Sequence, residues 1–161
     1  MALLLLKVNR LSAVFWDVDG TLADTEMDGH RPAFNLAFQE LDLPFVWDDA
    51  LYNRLLAIPG GLRRVKLHAE TCGVHLSQNQ LDQVRDRKRV HYLERVRQGH
   101  VQLRPGVKRL LQELSRAGVQ QWIVTSSGSA SVMALLEQIQ KQIPSFDGVV
   151  TSDDVASGKP A

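Results

Sequence analysis

Cysteine is almost absent from this sequence: Cys72 is the only one among 161 residues. No internal disulfide can form, which fits a reducing compartment, and a cytoplasmic location is expected. An excess of charge is lacking too, since 19 Lys and Arg face 18 Asp and Glu for a net charge of +1. So balanced a field steers toward neither nucleic acid nor membrane, and neither partner is expected. No apolar run reaches the roughly 20 residues of a membrane span. The opening Met1-Ala2-Leu3-Leu4-Leu5-Leu6 is apolar but too short for a leader core, and no small-residue cleavage site follows it. Internal repeats and low-complexity tracts are missing as well. The remaining composition, 44% hydrophobic and 23% charged, is that of an ordinary soluble domain.

The pattern begins with a strand. Ala13-Val14-Phe15-Trp16 is a short apolar run that stops at Asp17-Val18-Asp19-Gly20. A run of that kind reads as a buried parallel strand with a functional loop at its carboxyl end. Helical spacing follows at Phe34, Ala37, Phe38 and Leu41. Asp48 is placed to cap a second helix with Leu51, Leu55 and Ile58 inward. After the break at Pro59-Gly60-Gly61, the residues Leu62, Val65, Ala69 and Cys72 predict a third helix with Cys72 in its core, ended by Gly73. Ser77 and Gln80 form a capping box that opens a long polar helix to about Gln98. Beyond it, Pro105 opens a helix with Leu110, Leu111 and Leu114 as its apolar face. Val119 to Val124 reads as a strand, Val132 to Ile139 as a helix, and Phe146 to Val150 as a third strand. This order predicts a doubly wound α/β core with a parallel sheet, interrupted by a helical insert. Ligands of such sheets bind beyond the carboxyl ends of the strands, and all three strands end in polar residues.

Asp17 and Asp19 stand two apart, so on an extended chain both side chains point the same way. Two close carboxylates repel and call for a shared cation or proton. Mg²⁺ is the natural cation where carboxylate oxygens also meet a phosphate, which makes Asp17 and Asp19 candidate metal ligands. Gly20 lets the chain turn and brings backbone N–H groups near an anion. The parts suggest nucleophilic phosphoryl transfer, with Asp17 attacking phosphorus and Asp19 shuttling the proton.

The string Phe15-Trp16-Asp17-Val18-Asp19-Gly20-Thr21-Leu22-Ala23-Asp24-Thr25-Glu26 closely resembles the first motif of the haloacid dehalogenase superfamily. The resemblance implies that the first aspartate is the nucleophile and the second the acid/base. Dehalogenases of this fold typically lack the second aspartate, so Asp19 favours a phosphatase or phosphomutase. Ile123-Val124-Thr125-Ser126 resembles the second motif, which assigns phosphate binding to Ser126, with Ser127 as the close alternative. Gly158-Lys159-Pro160 resembles the third, in which a lysine holds the phosphate and screens the nucleophile.

Residues 30–103 resemble the cap domain of the CbbY-like and β-phosphoglucomutase-like members, leaving 1–29 and 104–161 as the core. Glu26 and His30 fall in the expected hinge and first cap helix, and Gly60 and Gly61 in a loop that reaches toward substrate. Relatives usually carry Lys after those glycines, whereas this chain has Leu62. Arg63 or Arg64 is the candidate replacement cation, because guanidinium pairs well with phosphate. Arg85-Asp86-Arg87-Lys88-Arg89 is interleaved with acids and reads as a solvated helix face.

The resemblance further implies two more strand–helix units, with the last metal-ligating aspartates, after Ala161. The chain is therefore expected to be a fragment, with an open apolar edge on its first strand that invites self-association. The expected activity is Mg²⁺-dependent hydrolysis of a small sugar phosphate or bisphosphate. A phosphomutase and a non-catalytic phosphate- or protein-binding remnant are the alternatives.

Overall fold

A computed structural model describes residues 11–156; Lys159 and the rest of the third motif lie outside the described residues. Three parallel strands, β1 (Ala13–Trp16), β2 (Gln120–Val124) and β3 (Gly148–Val150), form one sheet in the order β1-β2-β3. Phe15 lies opposite Trp122, and Trp122 opposite Gly148. Gly148 is needed there because the Trp122 ring fills the space a Cβ would take. Phe146 and Asp147 were expected in β3 but precede it. The Asp147 carboxylate instead accepts from the Gln121 N–H at 2.6 Å, while its own N–H donates to Gln121 O at 2.8 Å.

Between β1 and β2 run five helices: α1 (Arg31–Glu40), α2 (Asp49–Leu55), α3 (Gly61–Thr71), α4 (Gln78–Arg97) and α5 (Val107–Arg116). A sixth, α6 (Ser129–Ile139), joins β2 to β3. A π-helical turn, Glu26–His30, leads directly into α1. The expected caps form: Asp48 accepts from Leu51 N–H at 2.7 Å, and Ser77 and Gln80 make the reciprocal box. Gly73 and Gly99 follow the ends of α3 and α4 with φ of 72° and 76°, the left-handed geometry that suits glycine.

Two apolar clusters result. Trp16, Ile123, Leu111, Val132 and Leu135 pack beneath the sheet. Phe34, Phe38, Phe45, Trp47 and Tyr52 pack within the helical layer. Helix α4 belongs to both, through Leu81 and Val84 at one end and Tyr92 and Val96 at the other. Each fully buried large apolar side chain contributes about 1.5–3 kcal/mol. The chain crosses between the layers twice, and the crossings are tied together. Ala23 bridges Leu103 in antiparallel fashion, Arg104 N–H donates to Leu22 O at 2.9 Å, and Asp24 N–H donates to Gln102 O at 3.4 Å.

Three expectations are corrected. Cys72 is exposed at the C-cap of α3, past the last turn that packs inward. Leu110 is 43% exposed, so the inner face of α5 is Val107 and Leu111. Ile58 lies beyond the end of α2, whose inner residues are Tyr52 and Leu55. Among the described residues β1 pairs with β2 alone, and Phe15 on β1 is 68% exposed. No helix among them is long and apolar enough to cross a membrane.

Candidate active site at the carboxyl end of the first strand

Asp17 and Asp19 follow β1 directly and are both half-buried. The chain then turns tightly: the carbonyl of Val18 accepts from the N–H groups of Thr21, Leu22 and Ala23, at 3.1–3.2 Å. Gly20 has φ of 71°, a value that suits glycine, and its carbonyl accepts from the Arg104 guanidinium at 2.7 Å.

Asp19 is held by several side chains. The Thr25 hydroxyl donates to Oδ1 at 2.5 Å, and the Ser127 hydroxyl donates to Oδ2. His30 Nε2 stands 3.7 Å from Oδ1. Burial by itself would raise the Asp19 carboxyl, but the interactions with His30, Ser127 and Thr25 outweigh it and hold the group well below the usual carboxylate range.

His30 is nearly enclosed, stacked on the Tyr92 ring at 4.2 Å. The Lys88 ammonium lies 2.9 Å from its Nδ1. An ammonium can only donate, so Nδ1 accepts and the neutral ring carries its proton on Nε2, facing Asp19. Burial, with the charge of Lys88, lowers His30 and keeps it neutral. Lys88 is itself lowered, to about 8, by burial, against the partial support of Glu26 and Asp19.

A cavity of about 230 Å³ opens above this row, lined by Glu26, His30, Tyr52, Gly60, Gly61, Arg64 and Lys88, with Phe34. Five of the sequence-predicted binding residues thus share one space. The Tyr52 hydroxyl donates to Glu26 at 2.6 Å. Arg64 and Arg63 part company. Arg64 is 8% exposed, with Nε donating to Leu55 O at 2.9 Å, Nη1 to Tyr52 OH at 3.2 Å and Nη2 to Ile58 O at 3.3 Å. Arg63 is exposed and does not line the cavity. Of the two candidate serines, Ser126 is exposed at the end of β2, whereas Ser127 reaches Asp19.

Three residues of this network escaped the sequence. Lys88 was assigned to a solvated face, yet it is largely enclosed. Its position on the same stripe of α4 as the buried Tyr92, four residues on, is the signal that separates it from Arg87. Thr25 lay within the first-motif string without a role assigned to it, and Tyr52 lay outside every motif.

The chemistry of Asp17 suits a hard cation. Mg²⁺ takes one or two carboxylates and fills its shell with water and substrate phosphate, so the short donor set here is compatible with it. Among the described residues, no group of three or more His, Cys, Asp and Glu side chains converges as a complete metal cage.

Residues 11–161 match the family model of the haloacid dehalogenase-like hydrolases. The chain is 42% identical over 133 residues to the plasmid-encoded protein CbbY of Cupriavidus necator, covering 79% of this chain and 52% of that protein. It is 35% identical to protein CbbY of Rhodobacter capsulatus, covering 94% of this chain and 67% of the relative. The chain therefore spans about half the length of the first and two thirds of the second. Among solved structures, a mutant of CbbY from Rhodobacter sphaeroides in complex with xylulose-(1,5)bisphosphate superimposes with a TM-score of 0.73 at 29% identity, covering 94% of this chain and 68% of that one. With the motif-bearing strand ends, the sheet order and these matches in agreement, the chain belongs to the haloacid dehalogenase-like hydrolase family, in its CbbY-like group.

Proposed function

We propose that this chain carries the nucleophile and acid/base of a phosphatase acting on a small sugar phosphate or bisphosphate. The observation that supports it most is the setting of Asp19. Two hydroxyls and a neutral histidine hold its carboxylate at the end of β1, two residues after Asp17. In this reading Asp17 attacks phosphorus, forming an aspartyl O–P bond as the P–O bond to the sugar breaks. The sugar oxygen takes its proton from Asp19. Asp19 then removes a proton from water, which attacks the aspartyl phosphate and frees inorganic phosphate.

An acid must be protonated, and the groups around Asp19 favour its ionised form. The approach of a dianionic phosphoryl group raises a neighbouring carboxyl, so substrate itself would load the proton. Lys159 and Ser126 or Ser127 would hold the phosphoryl oxygens. Glu26, Tyr52 and the Gly60-Gly61 loop would meet the sugar, beneath residues 30–103 acting as a cap. Mg²⁺ would be held by Asp17 beside Asp19, where it offsets repulsion between carboxylate and phosphate. The open side of β1 would support self-association, seen as a concentration-dependent mass in sedimentation equilibrium.

The test is phosphate release from sugar phosphates and bisphosphates in the presence of Mg²⁺. Free phosphate, not an isomerised sugar phosphate, is expected, with loss in Asp17→Asn and on chelation. Release that persists unchanged in Asp17→Asn would rule the reading out.

A further inference from the structure

The helical turn that follows the first crossing is wider than an α-turn. The Arg31 N–H donates to Glu26 O, five residues back, so Glu26–His30 closes in the π register. Two features of the sequence open it. Pro32 has no N–H to offer the carbonyl of Asp28, four residues earlier, and in a regular helix its ring would collide with that carbonyl. The Asp28 carbonyl accepts instead from Arg95 Nε of α4, at 2.9 Å. Gly29 is the second feature. It is buried, and a Cβ there would lie 2.7 Å from Tyr92 Cε2 and 3.1 Å from Val101 Cγ2. Its φ is not positive, so space, not backbone conformation, demands glycine. Tyr92 is 2% exposed and Val101 is buried, so neither has open room to withdraw into.

The register matters because Asp19 is held from both ends of this turn. Thr25, its N-cap, donates a hydroxyl to Oδ1 at 2.5 Å, and His30, its last residue, stands 3.7 Å from the same oxygen. In an α-helix, residues five apart point about 140° away from each other. A turn closed between residues five apart brings them to one side. His30 then lies on the face of the Tyr92 ring, with centroids 4.2 Å apart and planes at 25°. The Cε2 side of that same ring rests on Gly29.

We infer that Gly29 is a positioning residue for the acid/base. By admitting Tyr92 against the π-turn, it sets His30 beside Thr25 at Oδ1 of Asp19. The kinetic consequence rests on the phosphatase reading above; the geometry rests on packing alone. The competing explanation is that Gly29 serves stability and nothing else.

The first readout needs no turnover. Stacked on Tyr92, the His30 ring protons feel the aromatic ring current and resonate upfield in NMR spectra. Loss of the signal in His30→Asn identifies it. Gly29→Ala should move it downfield, toward the position of an unstacked histidine. The second readout is kcat/KM with Mg²⁺ for p-nitrophenyl phosphate and phenyl phosphate. The two esters are similar in shape, but phenolate is the more basic leaving group and depends more on a proton from Asp19. Gly29→Ala should lower kcat/KM for phenyl phosphate by about tenfold more than for the nitro ester. Tyr92→Leu should reproduce that selective loss, and Tyr92→Phe, which keeps the ring, should restore the parental ratio. The inference is overturned if the His30 signal stays in place in folded Gly29→Ala, or if both esters lose by the same factor. Where Gly29→Ala does not fold, Tyr92→Leu decides, and equal loss on the two esters overturns the inference. Phosphate release from sugar phosphates by the unmodified chain is a separate measurement. A displaced His30 signal without such release would sink the phosphatase reading alone, and release with an unmoved signal would sink the role of Gly29 alone.

Discussion

The ammonium of Lys88 sits 2.9 Å from Nδ1 of His30, and through that ring a residue of the helical layer is coupled to Asp19 just past the carboxyl end of β1. Lys88 is lowered to about 8 by burial, so it loses its proton within reach of ordinary buffers. Once neutral it no longer enforces the Nε2–H form of His30 and no longer attracts an anion. Catalytic efficiency should therefore fall as pH rises through about 8. In Lys88→Met that alkaline limb should vanish and kcat/KM should drop by about 10²-fold. A pH–rate profile of both proteins checks this. The stability sign runs the other way. A lysine lowered from its usual 10.5 is costly to keep charged in the fold, so that cost is fully present below pH 8 and is relieved as pH rises toward 10.5.

Ser126 and Ser127 should separate by phenotype. Ser127 donates to Asp19, so Ser127→Ala removes one of the interactions that hold that carboxyl down. The acid limb of the kcat profile should move to higher pH. Ser126→Ala should raise KM while leaving that limb in place. The measurement is kcat and KM across pH for each variant.

Arg64 is a structural cation as much as a candidate for binding. Its guanidinium ties Leu55 O, Ile58 O and the Tyr52 hydroxyl inside the helical layer. Arg64→Met removes all three of these hydrogen bonds from a buried site, leaving Leu55 O with the Ile58 N–H alone, and should destabilise the fold by about 2–4 kcal/mol. Arg63→Met, at an exposed position, should change stability by less than about 0.5 kcal/mol. Chemical denaturation of the two variants gives the comparison.

Gly148→Ala tests the sheet. The added Cβ would collide with the Trp122 ring across the β2–β3 pair. Overpacking of this kind should cost about 1–3 kcal/mol, and a larger loss is expected if the ring cannot leave its place over Gly148. Thermal melts read the effect. Trp122→Leu in the same background should recover part of it.

Much of the fold was legible because local signals agreed with the global pattern. The run Ala13–Trp16, the Asp48 cap, the Ser77/Gln80 box and the glycines after α3 and α4 each act over a few residues. Asp17 and Asp19 were legible for a similar reason, since their chemistry follows from spacing along one strand end. What escaped depends on contacts far apart in sequence. Lys88 is 58 residues from His30, and the one local signal, its place four residues before Tyr92 on α4, does not say what it meets. Cys72 misled because periodicity continued one residue past the point where α3 stops. Leu110 misled because three leucines cannot all face inward on a helix that meets the sheet along a narrow stripe.

The paired crossings at Ala23 and Leu103 have a mechanical consequence. Two strands of chain that pass between layers as separate threads would allow tilt, twist and slide in any combination. Bonded to each other by Arg104 and Leu22 as well, they form a single short axle. The helical layer is then anchored to the sheet at one point beside the end of β1, so a change in either crossing is felt by the other.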